Sequence, residues 1–186
     1  MARGLREAYD LRQLAAGRQA WPSPAIETLQ AWCERVWAGV GERVCLSPTQ
    51  EAVLWEAAIA AIAGEPQWLD VPATAAAAAR GWELARHWML PLQGAEWKDG
   101  RDCEAFLQWA RAFAASCEQG GWIASAELPL RLAERLARGL WTPPPVIWLA
   151  GFDQLSPTEQ QLCQALESAG SQVRTWQSGG APAIPR

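Results

Sequence analysis

Residues that could organise chemistry are concentrated in one stretch, Pro145 to Gln164, reading PVIWLAGFDQLSPTEQQLCQ. It opens on a continuous apolar run, Val146-Ile147-Trp148-Leu149-Ala150, of the length expected for a strand buried on both faces of a parallel sheet. Gly151 ends the run, Phe152 to Leu155 form a short loop, and Ser156-Pro157-Thr158-Glu159 opens a helix. Ser at the N-cap, Pro at the first helical position and Glu at the third helical position predict a capping box. A polar loop between the carboxyl end of a strand and a helix is where α/β proteins place phosphate and metal chemistry. A nucleotide-hydrolysing strand would end there in acids, one to hold magnesium and one to position water. This strand ends in Ala150 and Gly151, and the first acid is Asp153.

The stretch VIWLAGFDQLSPTEQQL resembles a degenerate form of the second helicase motif of UvrD/RecB-type proteins. That motif is an apolar strand, then Asp-Glu-Phe-Gln-Asp, then a helix starting near a Pro. Ala150 and Gly151 fall on the Asp-Glu pair, Phe152 on the Phe, and Asp153 and Gln154 take the last two places in swapped order. The Gly-Phe-Asp ending followed by Leu-Ser-Pro is similar to the inactivated helicase region of AddB-type helicase–nucleases, including bacterial DNA repair proteins of the PD-(D/E)XK nuclease superfamily. The resemblance implies a helical subdomain inserted in a fragment of a P-loop-NTPase-like, helicase-like domain. Ala150, Gly151, Phe152, Asp153 and Gln154 are then the remnant of a nucleotide site. It also implies a role in DNA repair or recombination, with any nuclease activity in a C-terminal domain outside these residues.

Other catalytic patterns are missing from the sequence. There is no G-x-x-x-x-G-K-[ST] phosphate loop, no G-x-S-x-G elbow and no H-E-x-x-H. Glu96-Trp97-Lys98 has the acid-x-Lys spacing of the resembled nuclease but no upstream acid on a strand, and reads as chance. His87, the sole histidine, lacks partners at ligand spacing. The cysteines at 33, 45, 103, 117 and 163 form no C-x-x-C pair and read as reduced thiols of a cytoplasmic protein. The sequence therefore predicts no enzyme, no cofactor and no metal site.

Composition limits the partners. The net charge of −4 and a single lysine, Lys98, argue against a stand-alone nucleic-acid binder with a basic face. They leave room for local contact with single-stranded DNA, for which Arg3 and Arg6 on the first helix and Thr28 are the candidates. Residues 26–32, apolar–Glu27–Thr28–Leu29 then Trp32, resemble the strand–Thr–helix segment that UvrD-type helicases place near DNA; helix initiation at Thr28 is the competing reading. Thirteen tryptophans stand out. Those at 32, 37, 55, 82, 88 and 109 share helical spacing with other apolar residues and predict core rather than a base-stacking platform. No apolar run reaches the length of a membrane span, and MARGLREAYD has no apolar signal core.

The elements that must position these residues read as mainly α with a small parallel α/β part. Helices are expected over 2–17, from Leu29 to about Val40, from Ser47 to about Ala63, and from Asp70 or Thr74 to about Met89. Two more should start at caps on Asp102 and on Ser125, the latter ending near Arg138. Ala25 to Thr28 predicts a short strand, and Gln172 to Trp176 a parallel neighbour of Val146–Ala150 joined through the Pro157–Ala169 helix. The domain reading is 1–28 as part of a helicase-like α/β subdomain, 29–142 helical, 143–176 the returning strand–helix–strand, and 177–186 a flexible tail. No strand precedes the first helix, so the chain is expected to begin inside a domain. Two functions follow: a non-catalytic scaffold, or DNA guide, bound to the remainder of a larger helicase–nuclease chain; or an independent helical module with a Trp-rich docking surface.

Overall fold

A computed structural model describes residues 2–63, 70–93 and 100–176. The elements run α1 (Ala2–Ala15), α2 (Leu29–Val40), β1 (Val44–Cys45), α3 (Pro48–Ala63), α4 (Val71–His87), α5 (Arg101–Gly120), β2 (Trp122–Ile123), a 3-10 turn at Ser125–Glu127, α6 (Leu128–Ala137), β3 (Val146–Ala150), α7 (Pro157–Ser168) and β4 (Gln172–Trp176). The described chain is thus mainly helical with a small parallel sheet part. None of its helices is long and apolar enough to cross a membrane.

Two apolar cores carry the fold. The first joins α3, α4 and α5 around Trp55, Ile59, Trp82 and Phe113. Phe113 lies flat on Trp55, with centroids 4.2 Å apart and planes 9° from parallel, and meets Trp82 edge-on. The second core joins α2, α6 and α7 through Cys33, Trp37, Leu128, Leu132, Leu162 and Leu166, with Ile147 of β3 and Val173 of β4 against it. The short parallel pair β1–β2, in the register Val44↔Trp122 and Cys45↔Ile123, runs between the cores. Leu46, just after β1, belongs to the first core and Ile123 of β2 to the second. Two adjacent residues of the α2–β1 loop clamp it with opposite polarity: Glu42 to Arg135 of α6 at 2.6 Å, and Arg43 to Glu118 of α5. Trp37 Nε1 donates to the Arg43 carbonyl at 2.8 Å. Gly41 is needed beneath it, because a Cβ there would enter the Trp37 ring.

The second sheet matches the strand–helix–strand expectation. β3 and β4 pair in parallel over five residues, from Val146↔Gln172 to Ala150↔Trp176. Ser171 Oγ donates to the Pro144 carbonyl at 2.6 Å and fixes the start of β4 against the proline run. Burial on both faces is not observed. Ile147 and Leu149 turn inward, whereas Val146 and Trp148 are 40% and 43% exposed. Strand composition reports what a strand can bury, not how many layers are present to cover it.

Three local expectations are corrected. Residues 25–28 form no strand: Ile26 N bonds back to the Pro24 carbonyl, and the Ile26 carbonyl is taken by Arg6. Two prolines and these local bonds leave no ladder to build. Asp102 is not a cap but lies in the first turn of α5, behind the N-cap Gly100, where its charge faces the positive helix end. Ser125 does not cap α6 with its side chain. It starts the 3-10 turn, and its N–H is taken by the Glu51 carboxylate at 2.8 Å. The β1–β2 pair was not foreseen at all. Of the tryptophans assigned to the core, Trp37, Trp55 and Trp82 are buried, Trp32 and Trp109 half-buried, and Trp88 is 45% exposed. Glu96 to Lys98 and the segment 177–186 lie outside the described residues.

Candidate functional site

The site to be judged is the turn from β3 into α7. Gly151 takes φ +77°, the left-handed region that lets the chain leave the strand sharply. Ala150 and Phe152 are half-buried, and Asp153 and Gln154 point into solvent. At the strand end, where an acid would hold magnesium, there is a methyl group and a hydrogen. Asp153 is exposed, and among the described residues no group of three His, Cys, Asp or Glu side chains could hold a metal ion.

The start of α7 is closed by its own side chains. Ser156 Oγ accepts from Glu159 N at 3.4 Å, and Ser156 N donates to Glu159 Oε2 at 2.7 Å, completing the capping box read from the sequence. Ser156 Oγ also donates to the same carboxylate oxygen at 2.8 Å. Pro157 offers no N–H. The positive end of the helix, which in a phosphate site would face the ligand, therefore already holds an internal carboxylate. Gln160 closes the loop by donating to the Leu155 carbonyl at 2.8 Å. These bonds make the turn from β3 into α7 a closed joint.

The joint continues into the helical part. Thr158, 1% exposed, donates from Oγ1 to the His87 carbonyl at 3.3 Å and so satisfies a free carbonyl at the end of α4. Beyond that end, Met89 sits at φ +53°, an unusual conformation for a bulky side chain. Leu90 N reaches the Ala85 carbonyl at 2.8 Å, as in a Schellman closure, with Met89 in the place usually held by glycine. Met89 and Leu90 border a cleft of about 290 Å³ that also involves Arg86, Leu130, Arg131 and Thr158. Arg86 stacks 4.2 Å from the Trp82 ring centre and pairs with Glu127, and Arg131 pairs with Glu134 at 3.0 Å. A second cavity of about 30 Å³ has Cys33, Glu83, His87 and Glu159 on its wall. Burial pushes the Cys33 thiol up to about 12, helped by Glu159, so it is protonated at neutral pH and no nucleophile. Burial raises Cys45, Cys117 and Cys163 to about 11 as well. All five cysteines are free thiols.

The candidate DNA contacts are engaged elsewhere. Arg3 pairs with Glu7 at 3.0 Å on the solvent face of α1. Arg6 donates from Nε to the Ile26 carbonyl at 2.7 Å, fastening the segment before α2 to α1; Trp21 Nε1 adds a bond to Asp10 at 2.8 Å. Thr28 is the N-cap of α2, accepting from Ala31 N at 3.1 Å, which is the helix-initiation role. The Arg3 side chain is 92% exposed, and Arg6 is exposed as well despite its bond to Ile26. Comparison with known proteins finds no family model, no curated protein and no solved structure that matches the chain.

Proposed function

We propose that the chain is a non-catalytic, helicase-like part of a larger DNA repair helicase–nuclease, serving as a scaffold that positions or guides a DNA strand. One observation carries the reading. A parallel strand–loop–helix–strand unit has the layout of a nucleotide site, but Ala150 and Gly151 stand where the acids belong and Glu159 fills the anion end of α7. The helical part, 29–142, is then an insertion in the P-loop-like domain to which 1–28 and 143–176 belong. Its partner is the remainder of the longer chain or complex, and single-stranded DNA contact is weak and local.

The competing reading, an independent module with a Trp-rich docking surface, loses its main support because Trp37, Trp55 and Trp82 are buried. What favours it is the exposed group Leu84, Trp88, Met89 and Leu90 at the end of α4.

Titration with a fluorescent ATP analogue and magnesium tests the proposal. No saturable signal at micromolar protein is expected; tight magnesium-dependent binding overturns the degenerate-site assignment. Ala150→Asp, which adds an acid at the strand end and leaves the left-handed turn at Gly151 intact, is expected to leave binding absent, because the sequence has no phosphate loop to share the ligand.

A further inference from the structure

Parallel sheets are ordinarily covered on both faces, and the β3–β4 sheet is covered on one. Ile147 and Val173 pack inward against the second core. On the opposite face the register sets Val146 beside Gln172 and Trp148 beside Arg174. All four of these residues are exposed.

The chemistry of the open face decides what it suits. Arg174 holds its guanidinium 5.3 Å from the Trp148 ring centre and donates to Gln172 Oε1 at 2.7 Å. Arg35, Arg43, Arg86 and Arg131 are each neutralised by a glutamate, but among the described residues no carboxylate pairs with Arg174. An apolar protein layer laid over these positions would bury an unpaired guanidinium and an amide, which is costly. A nucleotide has a matching group for each. An exposed indole offers its plane to a base of any sequence. A guanidinium suits two phosphate oxygens, and the Gln172 amide nitrogen adds a donor for a base edge.

We propose that Trp148 and Arg174 form a stacking site for one nucleotide of single-stranded DNA, the base lying on the indole and a phosphate on the guanidinium. The contact between the two side chains brings both groups to one place before any ligand arrives. The inference rests on the DNA-guiding reading and gives the strand a location, the bare face of the β3–β4 sheet. The site binds and orients; it performs no chemistry.

The test is fluorescence polarisation with a labelled oligothymidine at about 50 mM salt, joined to photo-cross-linking of the same strand carrying 5-iodouracil. Trp148→Leu keeps an apolar side chain and removes the plane; it should weaken binding at least roughly fivefold. Trp148→Phe should recover part of the loss. Arg174→Gln should flatten the slope of log affinity against log salt by about 0.7, the share of one phosphate contact. All three positions are variants of exposed residues, and circular dichroism should not change. Ultraviolet light should cross-link the strand to Trp148, as mapped by mass spectrometry. Undiminished affinity in Trp148→Leu with cross-links elsewhere overturns the site, leaves the DNA reading standing and returns the face to an apolar protein layer. Equal losses in the Leu and Phe variants without a cross-link at Trp148 overturn stacking. A parent chain that binds no oligonucleotide overturns the site and the DNA reading together.

Discussion

Thr158 Oγ1 donates to the His87 carbonyl at 3.3 Å, so the first turn of α7 caps the last turn of α4. This bond ties the strand–helix–strand unit to the helical part at a point closed to water. Thr158→Val keeps the shape and removes the donor, leaving a buried carbonyl unsatisfied. A loss of about 1–3 kcal/mol is expected from urea unfolding. Thr158→Ser, which keeps the hydroxyl, should recover part of it; equal losses in the two variants would assign the effect to the missing methyl contact.

The capping box makes a second prediction at the same place. Ser156→Ala removes the acceptor for Glu159 N and should cost about 1 kcal/mol in the same assay. No change in midpoint would show that the loop closure by Gln160 suffices to start α7.

Glu51 gives a pH prediction. Its carboxylate holds Ser125 N at 2.8 Å, and burial raises its pKa, with Glu83 and Glu34 adding to the effect and the Ser125 bonds opposing it. A raised folded-state pKa means that the charged form disfavours folding at neutral pH, and that this penalty is relieved as pH falls through the raised value. Glu51→Gln retains an acceptor for Ser125 and carries no charge. The variant should be the more stable protein at pH 7, with the gap narrowing as pH falls towards 4. A gap that widens with acid would reverse the sign and remove the burial argument.

Phe113 tests the first core. It is fully buried between Trp55 and Trp82. Phe113→Ala should cost about 3–5 kcal/mol, a large share of the stability of an ordinary domain. A thermal midpoint within a few degrees of the parent would mean that the stack is not central to the fold.

The parts of the fold that were legible in the sequence are those where several signals coincide. Val146–Ala150, the Ser-Pro-x-Glu start of α7 and the alternating β4 each agree with a neighbour, and their pairing followed. The β1–β2 pair was illegible because two residues show no period; tertiary contact alone makes Val44 and Trp122 neighbours. Ala25 to Thr28 misled because apolar residues beside a Thr suggest a strand, whereas Arg6, twenty positions earlier, consumes the carbonyl that a ladder would need. Asp102 and Ser125 carried the right residue type for caps but sit one step inside the helix and in a 3-10 turn. At the turn from β3 into α7, the sequence shows Ala and Gly at 150 and 151. The filling of the anion end of α7 by Glu159 was visible only as a capping box, and its consequence for phosphate binding needed the geometry.

The central claim is a DNA-guiding role without catalysis, and fluorescence polarisation with a labelled single-stranded oligonucleotide tests it most directly. With net charge −4, Arg3 paired with Glu7 and Arg6 bonded to the Ile26 carbonyl, attraction to phosphates is short-ranged and weak. The account predicts weak binding at about 50 mM salt that is lost by about 200 mM, and a further weakening when Arg3 is replaced by Ala. No binding at the lower salt would contradict the DNA role. Tight binding insensitive to salt would contradict the core assignment of the tryptophans.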